Sequence, residues 1–131
     1  MNPDASLDGL DGTWVPIAAD VSGQALVVRE LRVARLVLDR GGYEIIDRAE
    51  HVVDSGDYRV DIDSVPQAID IVGVSGPNAG RTMHAIFELD GDRLKVCYDL
   101  ESAERPHAMR PQHDQLLLSI TYARAPSPRP S

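Results

Sequence analysis

The chain has one cysteine, Cys97, one lysine, Lys95, one tryptophan, Trp14, and one phenylalanine, Phe87. A lone cysteine excludes an intrachain disulfide. Small secreted barrels commonly carry at least one bridge, so we expect a reducing, cytoplasmic setting. Positive charge is in short supply: the net charge is −8, and the 13 lysine and arginine residues form no basic run. Such a surface repels phosphate backbones and anionic membranes, which argues against nucleic acid or a membrane as partner. No apolar run approaches the length that spans a bilayer as a helix. The opening Met1-Asn2-Pro3-Asp4-Ala5-Ser6-Leu7-Asp8 is acidic and lacks the apolar stretch of a signal peptide.

Signatures of chemistry are scarce as well. His51, His84, His107 and His113 contain no close pair at a ligand spacing, so no metal is expected. There is no Gly-x-Ser-x-Gly elbow. The glycine-rich stretch Gly73-Val74-Ser75-Gly76-Pro77-Asn78-Ala79-Gly80 lacks the Lys-Ser/Thr ending of a phosphate loop and reads as a turn. No cofactor is expected. Cys97 alternates onto the face opposite the expected core, with Lys95 on the same side. Lysine lowers a thiol's pKa, yet a half-buried structural cysteine is the commoner reading.

What the chain does have is hydrophobic content of 43% over 131 residues, enough for one domain with one core. Its apolar residues come in short β-rich runs separated by turn signals. The runs cover residues 13–21, 26–33, 34–40, 43–48, 56–62, 68–74, 81–89, 93–99 and 115–124, with His51-Val52-Val53 as an addition to the fourth strand. The second of these, with apolar residues at three- and four-residue spacing, is expected to hold a helical turn. Gly41-Gly42 and Asp90-Gly91-Asp92 mark tight hairpins. The expected fold is all-β, an eight-stranded antiparallel up-and-down barrel with one short helical turn over residues 10–124. A flexible leader (1–9) and a disordered proline- and serine-rich tail (125–131) flank it.

Side chains in a strand alternate between faces, and residues equidistant from a hairpin turn share one. Around Asp90-Gly91-Asp92 this sends Ala85, Phe87, Leu89, Leu94, Val96 and Tyr98 inward, and His84, Ile86, Glu88, Lys95 and Cys97 outward. Leu36, Leu38, Tyr58, Val60, Ile69, Ile71, Leu116, Leu118, Ile120 and Tyr122 also point inward. All four tyrosines, Tyr43, Tyr58, Tyr98 and Tyr122, fall on inward faces. A buried phenol needs a partner. Two readings stay open: core tyrosines with hydroxyls at the rims, or polar tips in the apolar wall of a pocket. Arg105, in the polar connection over residues 100–114, is placed to fold over a barrel mouth and meet a carboxylate or enolate. Alternatively it pairs with Glu101 or Glu104 at the surface, which is worth little.

Gly12-Thr13-Trp14 at the start of the first strand resembles the Gly-x-Trp signature of lipocalins and other calycins. More specific are Leu10-Asp11-Gly12-Thr13-Trp14, then residues 76–82, then residues 87–98, then Glu104-Arg105-Pro106, in this order. Together they resemble a small lipocalin-like (calycin) domain family common in planctomycetes and actinobacteria, over roughly residues 10–124. The resemblance implies that Trp14 closes one barrel end and stacks against a basic residue late in the last strand, here Arg124. It brings a fold but no reaction.

Two functional readings follow. The first is a binding protein that holds a small apolar or amphipathic molecule in the barrel, lined by Trp14, Leu36, Leu38, Tyr43, Tyr58, Phe87, Val96, Tyr98, Arg105, Leu118 and Tyr122. The alternative is a cofactor-independent cyclase or isomerase that folds a natural-product substrate of polyketide type, since orientation alone supplies much of such a barrier. A third option is a solid barrel that offers only an interaction surface. An interior filled by Leu36, Leu38, Phe87, Leu116 and Leu118 would defeat both ligand readings.

Overall fold

The computed structural model describes residues 9–100, 104–109 and 116–125. Its elements are β1 (Gly12–Val21), β2 (Gln24–Ala25), a 3-10 turn (Val28–Glu30), β3 (Arg35–Asp39), β4 (Gly42–Ile46), β5 (Val52–Asp61), β6 (Ala68–Ser75), β7 (Thr82–Asp90), β8 (Arg93–Asp99) and β9 (Leu117–Arg124). Strands β3 to β9 pair in sequence order, β1 pairs with β3, and a β1–β9 ladder closes the sheet. The fold is thus all-β, a closed eight-stranded antiparallel up-and-down barrel. Strand β2 is a two-residue arm folded back on β1, and the expected helical turn is the 3-10 turn. Among the described residues no helix is long and apolar enough to cross a membrane. The leader call over 1–8 and the tail call over 126–131 lie outside the described residues.

Alternation builds the wall. Across the β7–β8 hairpin, Phe87 pairs with Val96 and Leu89 with Leu94, the register expected from the sequence. Ala85, Phe87, Leu94 and Val96 are buried inside, together with Leu38, Tyr43, Tyr58, Ile69, Ile120 and Tyr122. Two details differ from expectation. The β3–β4 turn is Arg40-Gly41, because Asp39 pairs with Gly42; both turn residues have positive φ, 49° and 88°, which suits the right-handed twist of a two-residue hairpin. Val52 and Val53 do not extend the fourth strand. They begin β5, with Val52 opposite Ile46 and a bulge that shifts the register before Asp54.

One end of the barrel is plugged. Trp14 is wholly buried and its indole N–H donates to the Leu10 carbonyl at 2.8 Å. The Arg124 guanidinium lies over the Trp14 ring, 4.3 Å from its centroid, the stacking implied for these residues. The same guanidinium donates to the carbonyls of Asp11 (2.6 Å) and Gly9 (2.8 Å) and to the Asp92 carboxylate (3.1 Å). So Gly9, placed in the leader by sequence, is held against the barrel. Gly12 has φ +139°, and a Cβ there would stand 2.9 Å from Arg124 Nη1, which explains glycine two residues before the tryptophan.

The outer wall has its own apolar cluster. Ile86 and Cys97, expected on the solvent side, do face outward but are fully buried, with Leu117 and against Met109. The segment over residues 104–109 lies on them, and Pro106 is buried within it. Burial pushes the Cys97 thiol up, against smaller opposing effects of Ser119 and Lys95, so this cysteine packs and is no activated nucleophile.

The plug predicts a specific loss. Arg124→Lys keeps the charge but cannot stack flat on Trp14 or span two carbonyls and a carboxylate. We expect a cost of about 2 kcal/mol in chemical or thermal unfolding; an unchanged midpoint would contradict the plug.

Candidate functional site

The strands leave a recess at the end opposite Trp14. There the ends of β4 and β8, the start of β5, the turn over residues 47–50, the loop over residues 76–80 and the segment after the 3-10 turn surround a cup of about 670 Å³. This volume falls in the range of roughly 300–1,000 Å³ typical of small-molecule sites. Leu31, Val33, Ile45, Val53 and Tyr98 supply apolar wall, and Arg32, Asp47, Arg48, Asp54 and Asn78 supply polar groups. Deeper inside is a chamber of about 70 Å³, lined by Leu36, Leu38, Tyr43, Tyr58, Ile69, Ile71, Met83, Leu94, Val96 and Tyr122 among others. It has room for about two water molecules and no organic ligand. Ile45, Asp54, Asn78 and Tyr98 line both spaces and stand where the cup meets the chamber.

Local sequence shapes this floor. Loop residues 76–80 fold back over the start of β5. A Cβ on Gly73 would run into the Asn78 backbone, and one on Gly76 into that of Val53 and Asp54. The loop is stitched down by Gly80 N–H to the Gly73 carbonyl (3.0 Å) and Gly73 N–H to the Arg81 carbonyl (2.9 Å). Gly56 clears space for the Tyr43 ring, whose Cε1 would be 2.9 Å from a Cβ there. Asn78 and Tyr43 then meet Asp54 from two sides. The Asn78 amide donates to Asp54 Oδ2 at 2.8 Å, and the Tyr43 hydroxyl donates to Oδ1 at 3.1 Å. Asp54 is 5% exposed.

The rim is clamped in a similar way. Arg48 donates to the carbonyls of Leu31 (2.9 Å) and Val28 (3.2 Å), tying the turn over 47–50 to the 3-10 segment. The Asp47 carboxylate caps that turn by accepting the N–H groups of Ala49 and His51 at 2.9 and 3.0 Å. These backbone hydrogen bonds, chiefly that from His51, hold it below the usual carboxylate range against some desolvation. Arg32 is exposed and has no ion-pair partner among the described residues.

The structure brings together part of the expected site. Leu36, Leu38, Tyr43, Tyr58, Val96, Tyr98 and Tyr122 line the chamber, and Tyr98 the cup as well. Trp14 and Phe87 are buried in the core away from both spaces, with Trp14 in the plug, and Leu118 packs against the core without lining the chamber. Arg105 is a correction. It lies on the outer wall, where it donates to the Ala85 carbonyl (2.8 Å) and to Asp70 (2.7 Å), next to His84. Asp70 and His84 lie on outward-facing positions of β6 and β7 and hydrogen-bond each other at 2.8 Å. Burial would raise the Asp70 carboxyl, but the hydrogen bonds and charges of His84 and Arg105 outweigh it and hold it low. Arg105 therefore latches the 104–109 segment to the wall and does not reach the mouth. Of its two alternative surface partners, Glu101 and Glu104, the first lies outside the described residues.

Sequence reasoning missed Asp54. Once β5 is started at Val52, residues 54, 56, 58 and 60 share the face of Tyr58, and the carboxyl turns inward. The signal was there in the alternation.

The inward phenols are all held protonated. Burial, followed by the Asp54 charge, pushes Tyr98 up to about 12. Burial and then the Asp11 charge take Tyr58 to about 12, with the Gly41 N–H offsetting part. Its buried hydroxyl makes no hydrogen bond of good geometry. Tyr43 is raised by burial and Asp54, and Tyr122 by burial and then Tyr98, both further still. At neutral pH these groups are donors and never bases. Among the described residues no three carboxylate, histidine or cysteine groups gather to hold a metal. Comparison of the chain with protein-family models, curated proteins and solved structures finds no match.

The phenols give a pH prediction. Each folded value lies above that of an unfolded tyrosine, about 10. The stability they contribute is fully present below that pH and is lost as pH rises through the folded values. We expect no phenolate absorbance from the native protein at pH about 10, then ionisation coupled to unfolding toward about 12. A native-state titration of one or more tyrosines with an ordinary midpoint would refute their burial.

Proposed function

We propose that the protein binds a small amphipathic molecule in the cup at the open end of the barrel. The observation that carries this reading is the convergence of an apolar wall on the buried Asp54, with Tyr43 and Asn78 hydrogen-bonded to it and Tyr98 lining the same floor. Apolar wall brought together with convergent polar groups is the make-up of a site for an amphipathic small molecule. The ligand sits in the cup and not in the full lumen, because the inner chamber is too small for one. The lipocalin-like family is part of the proposal, supported by the Gly12-x-Trp14 start and the Trp14–Arg124 stack. So is a reducing, cytoplasmic setting, in keeping with a lone buried thiol.

One observation favours the second reading, a cofactor-independent isomerase or cyclase. Asp54 and the protonated Tyr98 share one floor, where a carboxylate accepts a proton and a phenol donates one. The binding reading comes first because the cup's features need nothing more than a ligand.

Titration with the neutral dye Nile red tests the cup. We expect saturable fluorescence enhancement on the native protein. Ala49→Trp and Val53→Trp, which fill the mouth, should weaken it about tenfold or more, a loss of roughly 1.4 kcal/mol of binding free energy. Their unfolding midpoints should stay close to that of the parent. Absent binding, or binding indifferent to both substitutions, would end the proposal.

A further inference from the structure

We propose that the molecule held in the cup carries a protonated amine, which pairs with the Asp54 carboxylate while its apolar body lies along Leu31, Val33, Ile45 and Tyr98. The inference rests on the cup being a ligand site and names the chemistry of that ligand.

Asp54 and Ser119 are the buried polar or charged residues among those described. Buried charges in proteins are paired or coordinate a metal. Asp54 is neither. Its hydrogen bonds come from two neutral groups, the Tyr43 hydroxyl and the Asn78 amide. No arginine, lysine or histidine among the described residues lies within ion-pair distance of it. Each carboxylate oxygen has two lone pairs, so one on each oxygen is left, on a residue that lines both the cup and the chamber. The missing partner is a cation with N–H donors.

The cations of the cup do not fill that place. Arg48 is turned to the carbonyls of Leu31 and Val28, and Arg32 is exposed at the rim. Among the described residues no three His, Cys, Asp or Glu side chains gather around Asp54 to hold a metal, so an organic ammonium suits it better than a metal ion. Tyr98, which lines the same two spaces as Asp54, offers a cation an aromatic ring, and a net charge of −8 draws cations toward the protein. A ligand carboxylate pushed to the same depth would meet Asp54 as a like charge. Its one opening is Arg32, at the rim.

Calorimetric titration with naphthylmethylamine, naphthylmethanol and naphthoic acid separates the outcomes, because the three share a body and differ in the head group. We expect the amine to bind about tenfold or more tightly than the alcohol, and the acid to bind most weakly. Asp54→Asn should abolish the preference, so that on this variant amine and alcohol bind about equally. Should that variant fold poorly, carbon-13 NMR of the wild-type protein replaces it, with the Asp54 carboxyl resonance moving on addition of amine and not of alcohol. Equal binding of amine and alcohol, or preference for the acid, overturns the amine inference and leaves the cup as a ligand site. If none of the three binds and Nile red is also excluded, the cup reading falls with it, and Asp54 is a buried structural carboxyl held by Tyr43 and Asn78 only.

Discussion

A sheet of antiparallel strands has two edges, and every other feature of this molecule depends on how they are hidden. The β1–β9 ladder joins them, running from Trp14 opposite Arg124 to Val21 opposite Leu118. At the start of that seam Arg124 acts on four pieces of chain at once. Its plane covers Trp14, two of its N–H groups hold the backbone ahead of β1, and a third reaches the β7–β8 turn through Asp92. A guanidinium suits this task because it is planar, permanently charged and carries donors in a fixed fork. The N-terminal segment, the first and last strands and a hairpin are thereby fastened to one another. Closed sheets leave no edge for another chain to extend.

With one end shut, the free volume of the barrel moves to the other. Leu10, Trp14, Phe87, Leu94, Ile120 and Tyr122 are all buried core, whereas the residues that line the cup, Asp54 apart, are half-buried or come from turns and loops. The small residues that shape the floor follow from this. Gly56, Gly73 and Gly76 each sit where a side chain would strike backbone or the Tyr43 ring. They let the loop over 76–80 descend until Asn78 reaches Asp54. What reads in sequence as a flexible glycine-rich turn is in three dimensions the lid of a polar pocket floor.

Much of this was legible in the sequence because a strand has period two. The β7–β8 register and the inward placement of all four tyrosines need only parity and a turn signal, whereas the Trp14–Arg124 stack was implied by the resemblance that Gly12-Thr13-Trp14 carries. Failures fall where parity is interrupted or where a distant segment intervenes. The bulge between Ile45 and Ile46 hid the start of β5, and Asp54 with it. Ile86 and Cys97 alternate to the outside as expected, yet they are buried, because the segment over 104–109 lies on that wall. Nothing in their own strands announces a cover supplied from elsewhere in the chain. Arg105 shows the same limit: a lone arginine in a polar connection has no periodicity, and its position is decided by Asp70, His84 and the Ala85 carbonyl, residues far away in sequence.

The division of the barrel into a plugged half and an open half also explains how a buried carboxyl is tolerated. Desolvating an unpaired charge is among the most costly things a core can contain, and in the Trp14 half it would stand among tightly packed side chains. Asp54 instead lies at the boundary of the cup, two residues from the start of its strand, with two neutral donors already aimed at it. There it stands at the end opposite the Trp14–Arg124 plug. Stability is not uniform across a fold, and binding regions are drawn from its less stable parts. Under the proposed amine binding, a cation arriving in the cup would supply the compensation that folding left out. On that proposal the polar floor is not a defect of packing but the place where binding and stability would be coupled.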